Sequence, residues 1–418
     1  MAASTLHLSV AVTDPARQGD SYSNSFVLYT VTTTCEAVDE GGCWTAGTFV
    51  ARRRYRDFAW LHGHLAKTVA GSILPPLPHS RGSHASGSLH STVLRDRFEA
   101  TFVEERRSRL DRYIHALAQH PEVRHLQDFQ IFLCADESTL ANFKSQRLGG
   151  DPMAEALASR FASMKHWVGS SAVVSTSLGA NNKSTLDLKL DEVAAHVLLL
   201  EERLTLVLDK VSSLLKCNKE VAVGVFDTGL AFSLLGQMEG RGVYGETLKS
   251  LGHTADHISV MMAEQREHDL LQFKEELSEN LGLIGSVKLA LQQRDKIKAH
   301  HGSAQIDFDS KAAALEHMRE TDEPKLQKLE AASQASDDAA ESLKQATAAL
   351  DEVTARLIRE IDRFKRSKAA AIHQLMRDFA VFNLEFARKL EAQWGHLGPK
   401  MEYTLSLLDG REVHDAGV

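Results

Sequence analysis

Arg52-Arg53-Arg54-Tyr55-Arg56 places four guanidinium groups around a single aromatic ring. A guanidinium fork matches phosphate oxygens bidentately, and a tyrosine face stacks on a ligand ring or on another guanidinium. The chemistry open to such a cluster is the capture of a phosphorylated ring. Arg106 points the same way. Phe102, Leu110, Tyr113 and Leu117 keep the spacing of one apolar helix stripe, Phe98 extends it, and Arg106 falls on it, four residues from both Phe102 and Leu110. A charge at a core-facing position costs stability unless it is paired or binds something. Arg106 therefore faces a ligand pocket, or else it pairs with Asp57 or Glu104. Arg107 and Arg109 lie off the stripe.

Other chemistries find little support. No P-loop, GxSxG, HExxH or paired-carboxylate constellation occurs, so neither an enzyme nor a cofactor is expected. Four cysteines show no CxxC pair, and the 20 histidines, His62-Gly-His64 and His300-His301 among them, lack metal-ligand spacing. These read as free thiols in a reducing, cytosolic chain and as surface histidines. A net charge of -8 argues against a general nucleic-acid partner, which a basic domain would serve. No run approaches the roughly 18 apolar residues of a membrane span, and the first residues lack the regions of a signal peptide.

At 418 residues two or three domains are expected, and the elements that must position these groups fall into two parts. Residues 1–140 read as an α+β domain. Leu6, Leu8, Val10 and Val12 alternate with small or polar residues, and Phe26–Thr34 and Thr48–Val50 are β-branched and aromatic, which predicts a small antiparallel sheet. The Arg cluster ends a strand; Asp57, Phe58, Trp60, Leu61 and Leu65 begin a helix. Ile73-Leu74-Pro75-Pro76-Leu77-Pro78 is an extended, stiff loop, and 79–93, rich in Ser, Gly and His, reads as a flexible insertion.

From residue 186 a seam of Leu186, Leu190, Val193, Val197, Leu200, Leu204, Val207, Val211 and Leu214 alternates spacings of four and three, as long coiled-coil-like helices do. Gly240, Gly242 and Gly245 mark a turn. A second helix is expected to run to about Lys298 and break at Gly302-Ser303. A third ends through Phe364, Leu375, Phe379, Phe382, Phe386 and Trp394, with its start offset by Pro324. Helices on the order of 75–130 Å long bury poorly within one chain, so a dimer is expected. Between the parts, residues 141–184 form a linker. Met153, Leu157, Phe161, Met164 and Val168 recur there at helical spacing, as in an interfacial amphipathic helix or a helix packed on the bundle.

The chain resembles the sorting nexins that combine a phox-homology (PX) domain with a BAR domain. The resemblance is carried by Arg53-Arg54-Tyr55-Arg56-Asp57-Phe58, Pro75-Pro76-Leu77-Pro78, Phe102-Val103-Glu104-Glu105-Arg106-Arg107 with Leu110, and His120-Pro121-Glu122 through Phe132-Leu133. Within that family it is most similar to the sorting nexin 1 type. The resemblance implies an α+β PX domain over 1–140 and an all-α, three-helix BAR domain over 185–410 that forms a curved coiled-coil dimer. It also implies a peripheral protein of early endosome membranes that binds phosphatidylinositol 3-phosphate and senses or induces curvature during cargo retrieval. Its partners would be a second sorting nexin, as homo- or heterodimer, and the retromer complex. Alternatives are a retromer-independent sorting nexin in recycling or autophagy, or a coiled-coil scaffold whose lipid pocket has lapsed.

By motif, Arg54 would grip the 3-phosphate, Tyr55 would stack under the inositol ring, and Arg106 would bond the ring hydroxyls. Ser80 stands where the family usually has a lysine for the 1-phosphate, with Arg81 next in line to replace it. Arg56 stands where the family usually has Ser. Ile73, Leu74 and Leu77 would insert into the bilayer. Arg294, Lys296 and Lys298, with Lys288 nearby and Lys325 and Lys328 opposite, would form a basic membrane face.

Overall fold

The computed structural model describes residues 8–19, 25–36, 44–78, 99–147, 184–240, 242–320 and 326–408. Strands β1 (Leu8–Gln18), β2 (Phe26–Cys35) and β3 (Gly47–Arg54) form an antiparallel sheet in that order. Strand periodicity turns Val10 and Val12, then Tyr29, Val31 and Cys35, then Ala51 to a buried face. A three-stranded sheet is stable only when that face is covered. Helices α1 (Tyr55–Thr68), α2 (Ala100–Ala118), α3 (Gln127–Cys134) and α4 (Glu137–Arg147) cover it. Phe58, Leu61 and Leu65 of α1, Leu110, Ile114 and Leu117 of α2, and Phe129, Phe132 and Leu133 of α3 fill one core.

The free edge of β1 is closed by α2. The Val12 N–H donates to Asp111 Oδ1 at 2.6 Å, and Arg107 donates to the Val12 carbonyl at 2.7 Å. These two bonds satisfy the outward ladder groups of Val12, which would otherwise be open to another strand. Helix α4 straddles residue 140, and both Leu140 and Phe143 pack on the core.

The remainder is helical: α5 (Thr185–Met238), α6 (Val243–Met261), a five-residue π turn (Met262–Arg266), α7 (Glu267–Glu320), α8 (Leu326–Gly395) and α9 (Gly398–Leu408). The turn between α5 and α6 places Gly240 at φ +80, a conformation that favours glycine. Helix α8 starts two residues past Pro324, as expected of a residue that cannot continue a helix. Gly302-Ser303 does not break α7. A Cβ at Gly302 would meet nothing within 4 Å, so the glycine costs only its propensity, about 1 kcal/mol, which a 54-residue helix absorbs.

Two compact units emerge. One comprises residues 1–195 with 285–363, the other 196–284 with 364–418. In the first, the α+β domain is clamped to α7 and α8 through the segment after α1 and the turn after α2. Gln293 accepts from the Gly71 N–H at 3.1 Å and donates to the Ala66 carbonyl at 2.9 Å. Glu360, 3% exposed, accepts from the Ile73 N–H at 3.2 Å and lies against His120 and Arg363. Arg356 donates to the Ala70 carbonyl, and Arg356 and Arg359 both engage Glu122. Gly71, at φ +84, packs so closely that a Cβ would sit 2.9 Å from the Val353 backbone oxygen.

In the second unit, Val211, Leu277 and Leu375 bring α5, α7 and α8 together, with Leu204, Leu208 and Phe273 alongside. Phe273, Phe379 and Phe382 form an aromatic cluster, the closest ring centroids 4.7 Å apart. Of the heptad seam, Leu190, Val197 and Val211 are buried while Val207 and Leu214 are exposed; Leu198, Leu199, Leu206 and Phe226 of α5, off the seam, are exposed as well. Contrary to the sequence expectation, α5 contains an 18-residue window, mean hydropathy 1.4, apolar enough to cross a membrane by length and composition alone.

Candidate anion-binding site

Strand alternation divides the arginine run. Arg52 and Arg54 are exposed, whereas Arg53 turns inward and is fully buried. Arg53 donates to the carbonyls of Phe132 and Ala135 at 2.8 and 2.5 Å, and also to those of Ile131 and Arg52. Those at 131 and 132 lie in the last turn of α3; the Ile131 oxygen also accepts from the Ala135 N–H at 3.0 Å. Its guanidinium caps that helix. The four guanidinium groups therefore do not gather around one ring, because the period of two sends their members to opposite faces.

Arg54 is the residue immediately before α1. Its N–H donates to Asp57 Oδ2 at 2.9 Å, and its half-exposed guanidinium lies 3.6 Å from the same carboxylate and over the Phe26 ring. Asp57 is held from the other side by Lys144 of α4 at 2.5 Å. Burial lowers the Lys144 ammonium, and its bond to Asp57 opposes the shift. Lys144, which also lies over the Trp60 ring, was not singled out in the sequence; a lone lysine in a polar helix gives no signal.

Tyr55 opens α1, and its hydroxyl donates to the Pro78 carbonyl at 2.6 Å, tying the proline segment to the site. The Arg106 guanidinium lies over two rings, 4.6 Å from the Tyr55 centroid and 4.3 Å from that of Phe102. Its Nε is buried without a hydrogen-bond partner among the described residues. Glu104 pairs with Arg107 and Asp57 with Lys144 and Arg54, so neither is the partner the sequence offered for Arg106. Cation–π contact compensates a buried Nε poorly. Burial also raises the Tyr29 hydroxyl, which Arg106 opposes. The structure thus brings Arg54, Tyr55 and Arg106 to the β3–α1 junction and the facing side of α2. Arg81 lies outside the described residues.

The other expected contacts divide. Ile73, Leu74 and Leu77 are 5%, 4% and 6% exposed, so they do not form a bilayer-inserting tip. Leu74 and Leu77 belong to the domain core, and Ile73 lies where Glu360 of α8 takes its N–H. Aliphatic groups flanking stiff prolines find a dry surface inside the protein. Arg294 is likewise buried, 2.5 Å from Asp187, and Lys298 reaches the same carboxylate at 2.8 Å. They hold the start of α5 on α7, where Ser184 and Asp187 cap each other's N–H groups. Burial alone would raise the Asp187 carboxyl, but hydrogen bonds from Lys298, Arg294 and Ser184 outweigh it and hold it well below the usual carboxylate range. Lys296 and Lys328 are exposed, Lys288 is half-buried, and Lys325 lies outside the described residues.

Residues 44–136 match the family model of the PX domain, and residues 169–399 match that of the "Vps5 C terminal like" family. The chain belongs to the sorting nexins that join these two domains. Sorting nexin 1 of Arabidopsis thaliana is 27% identical over 401 residues, covering 96% of this chain and 94% of its own length. Sorting nexin-1 of Bos taurus is 25% identical over 393 residues, covering 93% and 70%. The cryo-EM structure of the SNX-BAR Mvp1 tetramer superposes with a TM-score of 0.56 at 15% identity, over 93% of this chain and 99% of that one. That likeness bears out the fold: a small-sheet PX domain followed by a long helical region. The sorting nexins are membrane-associated sorting proteins, and no enzymatic family is indicated.

Proposed function

We propose that this sorting nexin binds phosphatidylinositol 3-phosphate on early endosomes and works as a dimer that senses or induces curvature during cargo retrieval, with retromer as partner. The observation that carries the reading is Arg106, a guanidinium over two rings with its Nε buried and unpartnered among the described residues. An inositol hydroxyl or phosphate brought to it supplies the acceptor that the protein withholds. Arg54, at the end of β3, offers a guanidinium fork to the 3-phosphate in competition with the weaker 3.6 Å contact to Asp57.

Dimerisation is supported by large apolar side chains left exposed on the long helices. Leu198, Leu206, Leu230 and Leu234 of α5, with Met376, Leu384 and Trp394 of α8, remain exposed in the isolated chain. Exposed apolar side chains in this number favour association. Two weak headgroup sites in one dimer then act on a single membrane, which multiplies avidity.

Flotation with liposomes, with and without phosphatidylinositol 3-phosphate, tests the reading. Wild type should float only with the lipid, and Arg54→Ala and Arg106→Ala should each remain at the bottom. Headgroup-independent flotation, or none, leaves a coiled-coil scaffold with a lapsed pocket. Pull-down of the retromer complex from endosomal extract separates the retromer-coupled reading from a retromer-independent one.

A further inference from the structure

The heptad positions of α5 run Leu190, Val197, Leu204, Val211 and then Asn218. Asn218 is 4% exposed, its Nδ2 donates to the Met262 carbonyl at 2.9 Å, and its Oδ1 is buried without a partner among the described residues. An amide at such a position stabilises less than leucine would; its established use in coiled coils is to fix register. Met262 is the first residue of the π turn that joins α6 to α7.

The packing changes character at this point. Beyond Asn218, α5 and α6 form a hairpin of small residues. Ala222 accepts from the Ser259 hydroxyl at 2.8 Å. One heptad on, a Cβ at Gly229 would lie 2.8 Å from the Gly252 oxygen, and after another heptad a Cβ at Gly236 would lie 2.6 Å from that of Gly245. On the other side of Asn218 come Leu215 and Val211, which keep helix axes apart.

The buried residues of the facing helix slip at the same place. Leu248 and Ala255 are a heptad apart, as are Leu270, Leu277 and Ile284, yet Leu270 follows Ala255 by two heptads and one residue. A π turn takes up one extra residue, and each residue inserted in a helix rotates the downstream side chains by about 100°.

We propose that Asn218 is a positioning residue that pins this insertion between Met262 and Arg266. It thereby sets the phase of α7 against α5, and with it which side chains face the bundle. The consequence for membrane shape rests on the function proposed above; the consequence for helix phase does not.

The test uses the full-length chain with its native cysteines replaced by serine and spin labels at His253 and Ser278. Both sites are exposed. Along a continuous helix they lie roughly 37 Å apart. Wild type should give one narrow distance distribution. Asn218→Leu removes the donor and should split or broaden it as the insertion is lost in part of the population and the helix beyond it turns by about 100°, while Asn218→Gln, which keeps a donor, should restore it. If Asn218→Leu fails to fold, Asn218→Asp removes the donor at nearly constant volume and should behave alike. An unchanged narrow distribution in a folded donor-less variant overturns the proposal. Tubules drawn from vesicles containing phosphatidylinositol 3-phosphate should widen in their spread of diameters with Asn218→Leu. Unchanged diameters beside shifted distances overturn the link to curvature alone, and a wild type that draws no tubules counts against the function, with the distances still deciding helix phase.

Discussion

Removing the Glu360 carboxylate should loosen the PX domain from its helices. The side chain is 3% exposed and accepts from the Ile73 N–H at 3.2 Å while lying against His120 and Arg363. In Glu360→Ala, the buried N–H loses its acceptor, which costs about 1–3 kcal/mol. Arg363 loses a charge-assisted bond, about 1.5–3 kcal/mol where fully buried. That second figure must be discounted to about 1 kcal/mol, because the Arg363 side chain is 34% exposed and water takes up part of the loss. The two together come to about 2–4 kcal/mol on the docked state, roughly a 30- to 1,000-fold shift in the local opening equilibrium. Hydrogen exchange at the Ile73 amide reads that opening directly. It should accelerate at least 30-fold in Glu360→Ala and by less in Glu360→Gln, whose amide oxygen still accepts. Exchange at Val12, held within the domain by Asp111, should be unchanged and serves as the control. An Ile73 amide that exchanges within threefold of wild type would refute the argument.

Gly71→Ala should undock the same joint, since a Cβ there meets the Val353 backbone and φ is +84; accelerated exchange at Ile73 checks it. Among helical glycines the sign should differ by site. Gly224→Ala, which meets nothing within 4 Å, should stabilise by about 0.5–1 kcal/mol, whereas Gly252→Ala, 2.7 Å from the Gly229 oxygen, should destabilise despite better propensity, as urea midpoints would show. Glu122 is held below the usual carboxylate range by hydrogen bonds from Arg359 and then Arg356, against burial. A depressed carboxylate stabilises above its unfolded pKa of about 4.3 and loses that contribution as pH falls through the folded value, so Ile73 exchange, corrected for intrinsic rate, should rise only below about pH 4. Burial pushes the Cys134 thiol up to about 11, so at pH 8 its alkylation should be at least 100-fold slower than that of an ordinary thiol near 8.5, measured by mass spectrometry.

The sequence by itself determined the two-part architecture, because period-two and period-3.5 patterns are local properties of the chain. It also determined that Arg106 was anomalous, since a charge on an apolar stripe is visible without coordinates. Arg54 and Tyr55 were legible as a pair. What Arg53 does was not: only the pleat of β3 and the position of α3 decide that one arginine of the run caps a helix. The fates of Ile73, Leu74 and Leu77 were decided by tertiary structure in the same way. An aliphatic group beside prolines can be buried in lipid or in protein with similar gain, and α8 supplies a surface some 280 residues away in sequence. Arg294 and Lys298 read as basic face until Asp187, more than 100 residues earlier, is brought beside them. Local pattern specifies elements; which side of a side chain meets water is a property of distant neighbours, and charge without its partner does not reveal it.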